Sequence, residues 1–592
     1  MLAALLALAV TLPQDTTRFQ QGVDYRIEAT LDESTHLLRG RARLRYTNRS
    51  QSTLDTLYFH QHLNAFRPNS AWARRELEFG NRRFQDLGPA EHAFERLARV
   101  EVGGRSVRAV YPGAPDSTVV AIPLPSRLRP GATATVQMEW TARLATLPRR
   151  QGREGRHYDW AHWYPRIAVY ERTGWATQPL LPQGEFYGEF ARYDVTLDLA
   201  TDQVIGSTGV PVIGDPGWHR TAGAQPGPSY QRTAYPARPA ELLGLLPSRT
   251  APGRKRVRWR AENVIHFAWS ADPRFTYEGG AHTRTGSTAP VAIHALRIPG
   301  DTLWPEGVAV ERTRRALVWM EDLFGPYPYP QITNLRRIES GGTEFPMLIM
   351  NGSASEGLIV HEIAHQWLHG ILANNEWREG WLDEGFTSFV TNWYWEAQGK
   401  TDIWASSIRA AAQRELEANR QPVATASADF RDPAIYSYNT YTKPSLVFRM
   451  LREMVGEPVF RQILRTYYQR YRFQHVTGAD FQAVAEQVSG RDLGWFFQQW
   501  IATTATLDYA VEDARAERMP DGRWRTRVTV VRSGDAWMPV ELRVGDVTQV
   551  LNSREARQQV EVLTRARPTE AVLDPRSVLI DVNPANNRRA VS

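Results

Sequence analysis

The chain has 592 residues, 42% hydrophobic and 23% charged, enough apolar material for several packed cores and too much for bulk disorder. It contains no cysteine, which excludes disulfides, thiolate metal ligands, a cysteine nucleophile and a lipidated-cysteine anchor; any metal must be held by His, Asp or Glu. The formal charge of +7 comes from scattered arginines, with only Lys255, Lys400 and Lys443 as lysines. The longest basic cluster, Arg254-Lys255-Arg256, is too short for a nucleic-acid surface, so no nucleic-acid partner is expected.

Met1 to Leu12 is apolar and is followed by Pro13-Gln14-Asp15. Twelve residues cannot span a bilayer as a helix, but the length suits a secretory leader. Residues 1–15 are therefore expected to be a leader, the protein to be exported, and no transmembrane helix to follow. Residues 16–202 alternate with a period of two. The runs are Tyr25-Arg26-Ile27-Glu28, Arg41 to Tyr46, Thr133 to Trp140 and Tyr193 to Leu199, with polar turns between them, so one large β domain is expected. Gly206 to Pro252 is rich in Gly and Pro. The period then changes: Arg312 to Leu323 reads as a helix, stopped by Gly325-Pro326-Tyr327-Pro328-Tyr329-Pro330, and helical patterns dominate Ser355 to Trp500. Residues 203–505 form the expected second domain. Alternation returns after Thr506 and predicts a small β domain over 506–592.

Within the helical region stands His361-Glu362-Ile363-Ala364-His365, in a mostly apolar stretch. Residues four apart lie on one helix face, so two imidazoles at this spacing converge on one ion. Glu362 is offset from His365 by roughly 60°, beside the ion, where a base for an attacking water must stand. A third donor is required, with one position left open. His369 continues the same face but lies about 12 Å from His361 along a straight helix, too far for one ion with bonds of about 2 Å. Glu384, nineteen positions past His365 in Trp381-Leu382-Asp383-Glu384-Gly385-Phe386, is reached if the chain turns near Gly370, loops through Asn374-Asn375 and returns in a second helix. A buried acid there otherwise has no explanation, because an unpaired buried charge is costly.

This combination, H-E-x-x-H, eighteen residues, then Glu in W-L-D-E-G-F, resembles the gluzincin aminopeptidases, the zinc family of aminopeptidase N and the leukotriene hydrolase. Tyr25 to Asn64, Glu262 to Trp269, Phe324 to Tyr329, Gly478 to Phe481 and Trp495 to Trp500 resemble further segments of that family, as seen in bacterial members. The resemblance implies an α+β multidomain fold. It would have an N-terminal β-sandwich-like domain, a thermolysin-like α/β catalytic domain continuing into helices, and a small C-terminal β-sandwich. It implies one zinc ion per chain on His361, His365 and Glu384, with Glu362 as base, and peptides with a free N-terminus as substrates.

The family carries G-x-M-E-N before the metal helix. Here the segment is Gly341-Gly342-Thr343-Glu344-Phe345, with Thr343 and Phe345 departing from the pattern. By resemblance Glu344 binds the α-amino group, with Gly341, Gly342 and Thr343 beside the substrate. The family's Y-x-K-G corresponds to Tyr441-Thr442-Lys443-Pro444; Tyr441 would donate to the oxyanion, and Tyr436 would assist or pack. Asp383 and Glu379 are candidates for orienting the ligand imidazoles, or are solvated charges. Asp159, Gln183 and Glu185 are undistinguished candidates for a second amine contact from the first domain. A zinc endopeptidase, an epoxide hydrolase on the same site and a non-enzymatic scaffold are the competing readings.

Overall fold

The computed structural model describes residues 19–218, 251–283, 290–400, 402–418 and 420–592; the leader expected over 1–15 lies outside them, as does part of the Gly/Pro-rich stretch. The four alternating runs read in the sequence form central strands of one eight-stranded sheet. Its order is Val210–Ile213, Arg254–Val264, Ala191–Ala200, Gly22–Asp32, Leu37–Thr47, Thr133–Arg143, Phe94–Val102 and Arg105–Ser106. Along Leu37–Thr47 every second residue is buried, as a half-buried strand requires. Tyr25 stacks on Tyr193, Tyr164 meets both rings edge-on, and the Tyr25 hydroxyl accepts from the backbone N–H of Ile167 in a three-stranded sheet built on Leu54–His60.

The boundary drawn at residue 202 is corrected by this pairing. Arg254–Val264 is hydrogen-bonded to Ala191–Ala200 over nearly its whole length, and Trp269–Asp272 joins Val204–Ser207 and His157–Trp160 in a further sheet. The β-rich domain therefore takes strands from beyond the Gly/Pro-rich stretch.

His157 links two strands of that last sheet, and Asp159 ties the sheet to the chain at Ile338. The His157 ring stands between Asp159 (3.1 Å) and Asp272 (3.2 Å), while Asp159 also accepts from Ser270 Oγ and from the backbone N–H of Ile338, at 2.8 Å each. Burial disfavours the imidazolium, but the two aspartates outweigh it and raise the His157 pKa to about 9. Because the folded-state pKa is raised, the stability this gives is complete below about pH 6.5 and is lost as pH rises through about 9. The stability difference between wild type and His157→Gln should narrow by about 3 kcal/mol from about pH 6 to about pH 10. Denaturant unfolding of both proteins across that range checks it; a pH-independent difference would show that His157 stays neutral.

The second region opens with a five-stranded sheet, ordered Thr276–His282, Val291–Arg297, Gln331–Arg336, Leu348–Asn351 and Gly342–Phe345. Three central strands run parallel, joined in part through helix Val308–Leu323, and Gly342–Phe345 is an antiparallel edge strand. Helices Glu356–Ala364 and Glu384–Ala397 follow, then a helical array to Ala502. Aromatic side chains fill its core: Phe386 and Phe448 stack on each other and each meets Phe389 and Phe481. Strands resume at Asp508 and form a three-stranded and a four-stranded sheet. The fold is thus α+β and multidomain, with a β-rich N-terminal domain and a helical region after the mixed sheet. Among the described residues no helix is long and apolar enough to cross a membrane.

Candidate active site

Helix Glu356–Ala364 ends one residue before His365, earlier than the apolar run suggests; tight turns, including Leu368 N to Ala364 O at 3.0 Å, carry the chain on to Gly370. Strand Leu372–Asn374 and the short helix Glu376–Glu379 then return it to Glu384, the first residue of helix Glu384–Ala397. This is the turn-and-return that the spacing required.

His361 Nε2 lies 3.1 Å from His365 Nε2 and 3.1 Å from Glu384 Oε2, and His365 Nε2 lies 3.3 Å from the same oxygen. A tetrahedral ion with bonds of about 2.0–2.1 Å places its donors roughly 3.4 Å apart, so the three atoms form a face of the right size. The donor set, two imidazoles and one carboxylate, is also chemically suited to zinc. His365 Nδ1 faces Asp383 Oδ1 at 2.6 Å, which fixes the ring and leaves Nε2 for the ion. Asp383 is thereby the orienting acid. Glu379 is not: it accepts from the backbone N–H of Gly478 at 2.9 Å, at the start of helix Gly478–Ser489.

Glu362 is buried and one of its carboxylate oxygens has no hydrogen-bond partner among the described residues. Burial raises its pKa, with Glu384 adding to the shift and both imidazoles opposing it. Gly342 lies directly against it: a Cβ there would stand 2.1 Å from Glu362 Oε1, so only glycine lets the edge strand approach this closely. Strand alternation turns Glu344 to the same side as Gly342. Glu344 is buried, with one oxygen unpartnered among the described residues, and burial pushes its pKa up to about 8. Gln366, next to His365, donates to Phe345 O (3.1 Å) and accepts from Met347 N (2.8 Å), fastening this strand to the motif. The left-handed backbone of Gly341 (φ 72°) begins the strand.

Several expectations are corrected by the geometry. Thr343 faces the opposite side of the strand from Glu344, and Arg337 donates to its hydroxyl, so its side chain does not border the site. Tyr436 accepts from the backbone N–H of Gly184 at 3.0 Å and sits edge-on to Tyr441, so it also braces this region against the β-rich domain. Asp159 is occupied by His157, Ser270 and Ile338. Glu185 is held in a buried ion pair with Arg150, leaving Gln183 as the candidate whose amide atoms have no partner among the described residues.

Tyr441 lies in a π-helical turn, Tyr438–Thr442, and its hydroxyl donates to Glu384 Oε1 at 2.6 Å. The turn is clamped at both ends by the buried Glu415, which accepts from Tyr438 Oη (2.8 Å) and pairs with Lys443 Nζ (2.7 Å). The helix carrying Glu384 presses against it, where a Cβ on Gly385 would stand 2.4 Å from Pro444. Sequence reasoning missed Arg150, Gln366 and Glu415. Each acts across 19 or more residues of sequence, with no local pattern to mark it.

Residues 308–500, which hold His361, His365, Glu384 and Tyr441, match the Peptidase family M1 domain. Aminopeptidase N of Caulobacter vibrioides is 27% identical over 253 residues, 39% of this chain and 29% of that protein. Tricorn protease-interacting factor F2 of Thermoplasma acidophilum is 26% identical over 220 residues, 32% of this chain and 28% of that protein. The matched stretch thus spans under a third of either relative's length. The solved M1 zinc metallopeptidase of Deinococcus radiodurans shares the fold over 81% of this chain and 93% of its own, at 17% identity and a TM-score of 0.53. Legionella pneumophila aminopeptidase A, solved with aspartic acid, does so over 96% of this chain and 60% of its own, at 16% identity and a TM-score of 0.65. With its H-E-x-x-H motif and distant Glu folded into one donor set, the matched stretch, residues 308–500, carries a Peptidase family M1 domain and is similar to the aminopeptidases N.

Proposed function

We propose that the protein is a zinc-dependent aminopeptidase, hydrolysing the first peptide bond of substrates with a free N-terminus. The observation that carries this reading is the placement of a buried, unpaired Glu344 on the strand whose Gly342 touches Glu362, next to the His361–His365–Glu384 donor set.

One zinc ion on those three residues would supply Lewis acidity to the scissile carbonyl and make an attacking water more acidic. Glu362 takes the water's proton at its unpartnered oxygen and delivers it to the leaving amine. Tyr441 donates its hydroxyl proton toward the carbonyl oxygen as negative charge develops there; its present acceptor, Glu384, already places the phenol at the donor set. Asp383 holds His365 in the tautomer that keeps Nε2 available. Arg150 acts on Glu344 only from a distance, being ion-paired with Glu185, and a substrate ammonium would supply the direct partner that lets Glu344 ionise in a buried setting. That pairing sets which bond reaches Glu362. Gln183 is the proposed second contact to the amine.

A panel of aminoacyl fluorogenic substrates tests the reading. Cleavage should be abolished by a chelator and restored by zinc, with turnover of free-amino substrates far above that of acetylated ones. Chelator-resistant turnover would rule it out.

A further inference from the structure

Deeper than the donor set described above lies a second convergence of metal-ligating side chains. His369, Glu376 and Asp383 bring one donor atom each to within 4.8 Å of one another. All three are buried, at 0%, 1% and 0% exposure. They arrive from separate pieces of chain: the left-handed turn at His369 (φ 105°), the start of helix Glu376–Glu379 and the residue before Glu384.

Their polar atoms are poorly satisfied. Both nitrogens of His369, both oxygens of Glu376 and Oδ2 of Asp383 have no well-aligned hydrogen-bond partner among the described residues, although Glu376 lies close enough to Asp383 for the two carboxyl groups to share a proton. His369 Nδ1 and Glu376 Oε1 touch, but without hydrogen-bond alignment. Two carboxyl groups and an imidazole buried this way are expensive unless something positive binds them. The nearby guanidinium groups act on Glu376 only from a distance, their hydrogen bonds going from Arg166 to His266 and from Arg150 to Glu185. The edge-on ring of Phe186 covers His369 at 5.2 Å between centroids.

We propose that His369, Glu376 and Asp383 bind a second divalent transition-metal ion, for which zinc is the chemical match. One imidazole and two carboxylates are a donor set that zinc accepts. The site would be structural, joining the turn after the motif to the segment that returns Glu384. It would also reach the catalytic centre through one residue, because Asp383 gives Oδ1 to His365 and keeps Oδ2 for the second set. The proposal goes beyond the single ion of the aminopeptidase reading and rests on that reading only for the count of ions.

The full chain, saturated with zinc and desalted, would be weighed by native mass spectrometry. Two ions per chain are expected for wild type, and one for Glu376→Gln and for His369→Gln. Because either variant could fold poorly, crystals of wild type would be measured at the zinc absorption edge. Two anomalous peaks are expected, the second bordered by His369 and Glu376. One ion and one peak, at His361 and His365, would overturn the proposal and leave the catalytic reading intact. Two ions that both persist in the variants would also overturn it, as binding elsewhere. No zinc in wild type would bring down both.

Discussion

Replacing Glu362 by Gln should lower kcat by about 10²–10⁴-fold while the protein keeps its zinc. The amide has the shape of the carboxylate but cannot take a proton. Glu362 does not belong to the His361–His365–Glu384 donor set, so the ion has no reason to leave. The packing also survives, because the close contact with Gly342 depends on size and not on charge. Zinc content by elemental analysis, taken with kcat on a free-amino substrate, separates the two effects. Zinc retained at unchanged turnover would show that another group moves the proton. Zinc lost with activity would make Glu362 a structural element of the metal site.

The second large effect falls on selectivity. Glu344→Ala should reduce kcat/KM for free-amino substrates by about 10²–10³-fold, the scale of stranding one partner of a buried ion pair. Amino-acetylated substrates, which never formed that pair, should lose little. The argument rests on Glu344 being buried with an unpartnered oxygen on the side of the strand that faces Glu362. Equal losses on both substrate types would mean that the substitution merely loosened the edge strand. Efficient cleavage of acetylated peptides by wild type would instead favour an endopeptidase.

The metal site was legible in the sequence because its chemistry is local. Helical spacing aligns His361 with His365, and reaching Glu384 needs only enough intervening chain to turn and return. The same spacing kept His369 off that ion. Contacts made across the fold were not legible. Asp159 reads as an available acid until Ser270 and Ile338, each more than 100 residues away, are folded onto it. The domain boundary failed for a related reason. A period of two marks Arg254–Val264 as a strand but does not say that it pairs back across the Gly/Pro-rich stretch with Ala191–Ala200. The side of Thr343 was legible in principle, since a strand that presents Gly342 and Glu344 to the site must turn Thr343 away.

The five residues from Tyr438 to Thr442 have one further consequence. A π-helical turn holds one residue more than the α-helical turn it replaces, and one residue corresponds to about 100° of rotation. The direction of the Tyr441 phenol is therefore a property of segment length as much as of residue identity. A homologue with every side chain preserved but a single deletion in this stretch would swing the phenol off Glu384. Gaps in an alignment here would be more telling than substitutions.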